Sequence, residues 1–270
     1  MQGFSPCNLK YMRAFAAAWP DAAIVQQVVA RLPWRQNIIL LERLEAPRIR
    51  HWYVQQALAH GWSSSVLNLQ IDNRVHERSG NAISNFTKTL PPTDSDMVEQ
   101  VFKDPYVFDF LGTADPRRER EVEQALIDHI QRFMLELGTG FAFVGRQVHL
   151  EVGEQDFYLD LLFYHLKLRC FVVVELKTVP FDAAFVGKLN LYLSATDDLL
   201  RHPDDKPTIG LLLCRSNNKL VVEYALRDLD KPIGVAQWAT RIVDALPKDL
   251  ESSLPTIAQI EAELGKDEDA

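Results

Sequence analysis

The chain has 270 residues, 47% of them hydrophobic, and a formal net charge of −8 at pH 7. A length prior of ~100–200 residues per domain suggests a compact body with an appendage. The acidic balance argues against a chain that grips nucleic acid over its whole surface. Cys7, Cys170 and Cys214 are too scattered for a zinc site or a disulfide framework. The charge is uneven: residues 1–105 hold 11 Lys and Arg against 9 Asp and Glu, and 106–270 hold 18 against 28. No apolar run approaches a membrane span, so a soluble protein of the reducing cytoplasm, without a membrane partner, is expected.

Residues 1–78 read as an all-helical N-terminal domain in short segments broken by proline and glycine. Helical stretches are predicted after Pro33, from Pro47 to His60 before Gly61, and from a Ser63–Ser65 cap to Arg78. Four of the five tryptophans, Trp19, Trp34, Trp52 and Trp62, fall here among several arginines. Basic and aromatic groups together suit a phosphate backbone and its bases, and Arg48 and Arg50, beside Pro47, are the candidate phosphate contacts. Helix-packing aromatics with a solvated arginine rim are the plainer alternative.

Residues 79–116 carry Pro91, Pro92, Pro105 and Pro116 and read as a connector. Its apolar stretch Tyr106–Leu111 should tie it down by packing. From 117 to 247 the order becomes helix, three strands, helix, strand, helix, strand. Val122, Leu126, Ile130, Phe133 and Leu137 mark the first helix. Phe141–Leu150, Phe157–His165 and Cys170–Lys177 are the strands, with tight links that suit antiparallel hairpins. Phe181–Leu200 is the next helix, Thr208–Cys214 a buried strand, Asn217–Arg227 a helix and Ile233–Trp238 the last strand. Residues 248–270 are expected to make a C-terminal helix and acidic tail, with a further helix near 240–246.

Glu175-Leu176-Lys177 matches a D/ExK triplet, but 16 Glu and 11 Lys give roughly 0.6 ExK matches by chance. Context carries more weight. Glu175 and Lys177 close the apolar run Phe171–Val174, and a two-residue period points them to one face about 7 Å apart. Asp160 is the lone charge in Phe157–Tyr164. An unpaired buried carboxylate is costly, and two carboxylates on adjoining strands repel unless a cation lies between them. Hard oxygen ligands select Mg2+ or Mn2+. The competing arrangement pairs Asp160 with Lys177 across the hairpin and leaves Glu175 facing solvent. No histidine pair, activated cysteine or phosphate-cradling glycine loop points to other chemistry.

The stretch from Gly145-Arg146-Gln147 through Asp156–His165 to Val174-Glu175-Leu176-Lys177 resembles the C-terminal nuclease domain of the YhcG-type family in the PD-(D/E)xK superfamily. So do Thr208-Ile209-Gly210, Val222–Leu226 and Lys231–Val235. Leu32-Pro33-Trp34, Trp52-Tyr53, Gly61-Trp62-Ser63 and Asp104–Leu111 resemble its N-terminal domain. The resemblance implies an α/β (α+β) fold with a restriction-endonuclease-like αβββαβ core, and magnesium-dependent endonuclease activity, with DNA the expected nucleic-acid substrate. It implies Asp160 and Glu175 as metal ligands, the Leu176 carbonyl as a further ligand, Lys177 as the residue orienting water, and Glu123 as an additional acid. Gly187-Lys188-Leu189-Asn190-Leu191-Tyr192 carries Lys188 where the family more usually has glutamine, and Lys188 is a candidate phosphate contact. The alternative is a non-catalytic, nucleic-acid-binding or assembly subunit of a restriction, repair or defence complex. Homo-oligomers and such protein partners are both compatible with the sequence.

Overall fold

The computed structural model describes residues 5–20, 25, 29–111 and 118–240; the helices expected beyond residue 240 lie outside them. The N-terminal part is helical: α1 (Pro6–Ala18), a 3-10 turn (Val29–Arg31), α2 (Trp34–Arg43), α3 (Pro47–His60), α4 (Ser64–Asp72) and α5 (Val75–Arg78). Proline begins α1 and α3, where no backbone N–H is needed. Gly61 ends α3 at φ 62°, a left-handed conformation that glycine adopts at no cost. Ser63 caps α4 by accepting the Val66 amide. The expected Ser63–Arg78 helix is split because Arg74 takes φ 45°. The apolar sides of these helices meet in a core of their own that includes Leu40, Tyr53, Val54 and Leu67.

The next elements are β1 (Ile83–Ser84), α6 (Phe86–Thr89), α7 (Pro92–Val101), β2 (Tyr106–Val107) and a 3-10 turn (Asp109–Leu111). This segment does more than connect. Phe86, Phe102, Tyr106 and Phe108 are buried in the largest core cluster, and β1 and β2 both pair with the last strand. Then follow α8 (Glu119–Asp128), α9 (Ile130–Leu137), β3 (Phe141–Val152), β4 (Gln155–His165), β5 (Cys170–Leu176), α10 (Ala183–Leu199), β6 (Ile209–Cys214), α11 (Lys219–Leu226) and β7 (Ile233–Ala239). The sheet runs β1-β7-β6-β5-β4-β3, with β2 also on β7. β3, β4 and β5 are antiparallel neighbours, whereas β5, β6 and β7 are parallel. The αβββαβ order is therefore the one expected, except that the first helix breaks at His129 into α8 and α9.

Helices cover both faces, which is why β5 and β6 are apolar throughout instead of alternating. Val172, Val174, Leu211 and Leu213 face α8 and α9 with Val122, Leu126 and Phe133. Val173 and Leu212 face α10 and α11 with Val186, Leu189 and Val222. In β4 the alternation slips where Asp160 stands. Leu161 and Phe163 join the α8–α9 side, but Leu159 and Leu162, three residues apart, both join the other. The facing strand is irregular at the same level, since Gln147 has φ 48° and makes no pair. Distortions of this kind re-aim side chains next to functional sites.

The far end of β4 carries a titrating group. His165 is 1% exposed; its Nδ1 accepts the Leu168 amide at 3.1 Å. A Cβ on Gly140, whose φ is 104°, would lie 2.8 Å from Nε2, so the close approach requires glycine. Burial, then nearby Lys167, pushes the His165 pKa down to about 4. The folded pKa lies below the unfolded value of about 6.5, so protons bind the unfolded chain first. This contribution to stability is complete above about pH 6.5 and is lost progressively as pH falls toward 4. Melting between pH 7 and 4.5 should show that decline, and His165→Gln should make it shallower; equal slopes for the two proteins would contradict it.

Candidate active site

Continuing the β4–β5 register, in which Leu161 faces Val174, sets Asp160 opposite Glu175. The Asp160 Oδ2 accepts the Leu176 amide at 2.9 Å. Glu175 is 1% exposed, and neither of its carboxylate oxygens has a hydrogen-bond partner. The solvent-facing arrangement of Glu175 is thus excluded. Its compensation is ionic: the Lys188 and Lys177 Nζ atoms lie 3.5 and 3.6 Å from Oε2. Burial raises the pKa of both carboxylic acids, and for Glu175 the neighbouring Asp160 raises it further.

Lys177 is anchored at three points. Its amide donates to the Leu213 carbonyl at 2.7 Å, and its carbonyl accepts the Trp238 indole N–H at 3.0 Å. The ammonium donates to Glu119 Oε2 at 3.0 Å and to the Leu176 carbonyl at 2.9 Å. Burial alone would lower its pKa, but Glu175, Glu119 and Asp160 together hold it above the ordinary lysine value. On α8, Glu123 is 4% exposed and accepts Gln147 Nε2 at 3.0 Å on each oxygen, with Arg146 Nε 3.6 Å away. Burial raises its pKa, partly offset by Gln147, and Asp160 adds to the rise. Lys188, on α10, also lies over the Tyr192 ring at 5.0 Å.

Asp160, Glu123 and Lys188 line one cleft of about 270 Å3, together with Glu119, Gln147 and Tyr158. A larger cavity of about 830 Å3 lies between the helical part and the sheet, lined among others by Trp52, Trp62, Gln70 and Lys103. It includes none of the candidate catalytic side chains, so the chemistry is assigned to the smaller cleft. Glu119, Gln147 and Trp238 did not emerge from the sequence. Glu119 left a trace there, one helical turn before Glu123 on the same face, and Gln147 only as part of Gly145-Arg146-Gln147.

The two arginines of α3 part company. Arg50 is buried, its guanidinium donating to the Leu44 carbonyl at 2.7 Å and the Glu45 carbonyl at 3.2 Å, and lying 5.8 Å from the Trp19 ring centre. It closes the turn before α3 and is not available to a phosphate, which corrects the expectation for that residue. Arg48 is exposed. The tryptophans pack chiefly as helix-side aromatics: Trp19 is in the helical core and Trp52 and Trp62 lie against it.

Among the described residues no three His, Cys, Asp or Glu side chains gather as a metal-binding group. Two facing carboxylates, one of them buried, nevertheless fit a hard divalent ion, because Mg2+ takes one or two protein carboxylates and completes its shell with water and substrate phosphate. Among the described residues no helix is long and apolar enough to cross a membrane. The YhcG PDDEXK nuclease domain model matches residues 99–255, and the DUF1016 N-terminal domain model matches residues 1–78. A relative in Escherichia coli (strain K12), named "Putative nuclease YhcG", is 32% identical over 275 residues, which covers 90% of this chain and 73% of the relative. No solved structure matches. With these matches, and with the αβββαβ sheet carrying Asp160 opposite Glu175-Leu176-Lys177, the chain belongs to the YhcG family of PDDEXK nucleases.

Proposed function

We propose that the protein is a divalent-metal-dependent endonuclease that hydrolyses phosphodiester bonds, with DNA as its substrate and Mg2+ or Mn2+ as its ion. The observation that carries this reading is the buried Glu175 carboxylate beside Asp160, with the Lys177 ammonium 3.6 Å from it. Asp160, Glu175 and the Leu176 carbonyl would hold the ion. When bound, it supplies Lewis acidity to the phosphate and to the attacking water.

The chain's own groups do the positioning. Lys177, fixed through its backbone by Leu213 and Trp238, holds a positive charge toward the phosphoryl oxygens, where negative charge grows. Glu123, kept at the cleft wall by Gln147, is the additional acid. Lys188 neutralises Glu175 from α10 and contacts the nucleic-acid backbone. The helical part, residues 1–78, presents Arg48 to substrate or partner, and residues 117–247 carry the catalysis. Labelled DNA and RNA should be cut with Mg2+ or Mn2+ and left whole with a chelator. Cutting undiminished by chelator would refute the metal requirement, and cutting of RNA alone would refute the choice of DNA.

A further inference from the structure

The cleft mouth carries an aromatic ring that the catalytic assignment does not use. Tyr158 is 49% exposed and lines the same cleft as Asp160. Its position is built. In the β3–β4 hairpin it stands directly opposite His149, and the two rings lie 5.2 Å apart at 34°. The His149 ring is held in turn by Asp156, with Nε2 and Oδ1 2.6 Å apart. Phe157, next along the strand, packs edge-on against Tyr192 of α10, their ring centres 6.2 Å apart. The ring is therefore oriented before anything binds, which reduces the ordering cost of a partner.

The spacing suits a nucleic-acid strand. Tyr158 precedes Asp160 by two residues, about 6.7 Å along an extended strand, roughly the reach of one backbone repeat of an extended nucleic-acid strand. Lys188 puts a cation in the same cleft, suited to the backbone of such a strand. We infer that Tyr158, braced by His149, is the stacking platform for an unpaired nucleobase next to the scissile phosphate. The substrate is then single-stranded nucleic acid, or a strand splayed from a duplex. Bases inside a duplex are stacked on both faces and cannot lie on such a ring, whereas any unpaired base can.

This inference rests on the nuclease reading, and binding separates the two. Full-length protein carrying Asp160→Asn, alone and with Tyr158→Ala or Tyr158→Phe, is titrated with labelled single-stranded DNA, single-stranded RNA and blunt duplex DNA. A further single strand carries one abasic position. Tyr158→Ala should weaken single-strand binding about tenfold. Tyr158→Phe should retain it, the abasic strand should bind more weakly to the protein with Tyr158 intact, and duplex binding should be unmoved. The better of the DNA and RNA strands names the sugar. Single-strand binding equal in Tyr158→Ala and the parent overturns the platform, as does tighter binding of blunt duplex than of single strands. Should protein with Asp160 intact cut nothing in Mg2+ while Tyr158-dependent binding persists, the nuclease reading fails and the platform stands. Should it cut duplex and single strands alike, indifferent to Tyr158→Ala, the platform fails and the nuclease stands.

Discussion

Lys177→Ala is expected to lower kcat for phosphodiester cleavage about 10³-fold or more while changing substrate affinity by less than about threefold, the pattern of a group acting mainly in the transition state. The backbone at this position is held from both sides by the Leu213 carbonyl and the Trp238 indole, so truncation removes the ammonium without releasing the strand. Asp160→Asn and Glu175→Gln should lose cleavage to a similar extent for a different reason, because they remove the carboxylates that face one another. Their stability separates chemistry from misfolding. Burial and the neighbouring Asp160 hold the Glu175 pKa above the ordinary carboxylate value in spite of Lys177 and Lys188, so the fold disfavours its charge and neutralising it relieves a desolvation cost. Glu175→Gln should melt no lower than the parent and still cut no substrate. Single-turnover cleavage with parallel binding and melting measures all three quantities. Parent-like cutting by Lys177→Ala would remove it from the mechanism, and a large fall in the Glu175→Gln melting temperature would mean that this carboxylate holds the fold.

Part of this site is legible in the sequence because cost is legible there. A lone carboxylate among Tyr158, Leu159, Leu161 and Leu162, and a Glu-x-Lys closing four consecutive apolar residues, are expensive unless they serve chemistry. The strand order is legible for a similar reason, since the continuous apolar runs of β5 and β6 suit only strands covered on both faces. The groups that position the charges are not legible. Glu119 reaches Lys177 across 58 residues, Trp238 across 61, and Gln147 reaches Glu123 across 24, distances that no local pattern encodes. Apolar spacing runs on through His129 and Arg74, so periodicity predicts unbroken helices where the backbone breaks. Arg50 shows the opposite failure. An arginine beside a proline among aromatics suggests a phosphate contact, but composition does not reveal that the carbonyls of Leu44 and Glu45 lie within its reach.

Glu136→Ala is expected to cost about 3–5 kcal/mol, since removing one partner of a buried ion pair leaves the other charge uncompensated. The Arg78 and Glu136 side chains are 4% and 5% exposed. Arg78 donates to both Glu136 oxygens and to the carbonyls of Asn73 and Pro105, each at 2.8 Å. Glu136 also accepts the Val107 amide at 2.8 Å, and its backbone carbonyl accepts the ammonium of Lys103, whose pKa burial pushes down to about 8. One carboxylate thus ties α5, the end of the helical part, to β2 and α9 of the sheet layer. At roughly 2–4 °C per kcal/mol for a chain of this size, the melting temperature should fall by about 10 °C. The fall should change little with added salt, because a buried pair is weakly screened. If the pair is a device for docking the two parts, and not a source of net stability, Arg78→Met with Glu136→Leu should recover most of the loss, as apolar replacement of a whole buried pair often does. A loss under about 1 kcal/mol for Glu136→Ala would show instead that water reaches Arg78 and that the helical part is held to the sheet elsewhere, through the His60–Thr139 and Gln70–Leu135 contacts.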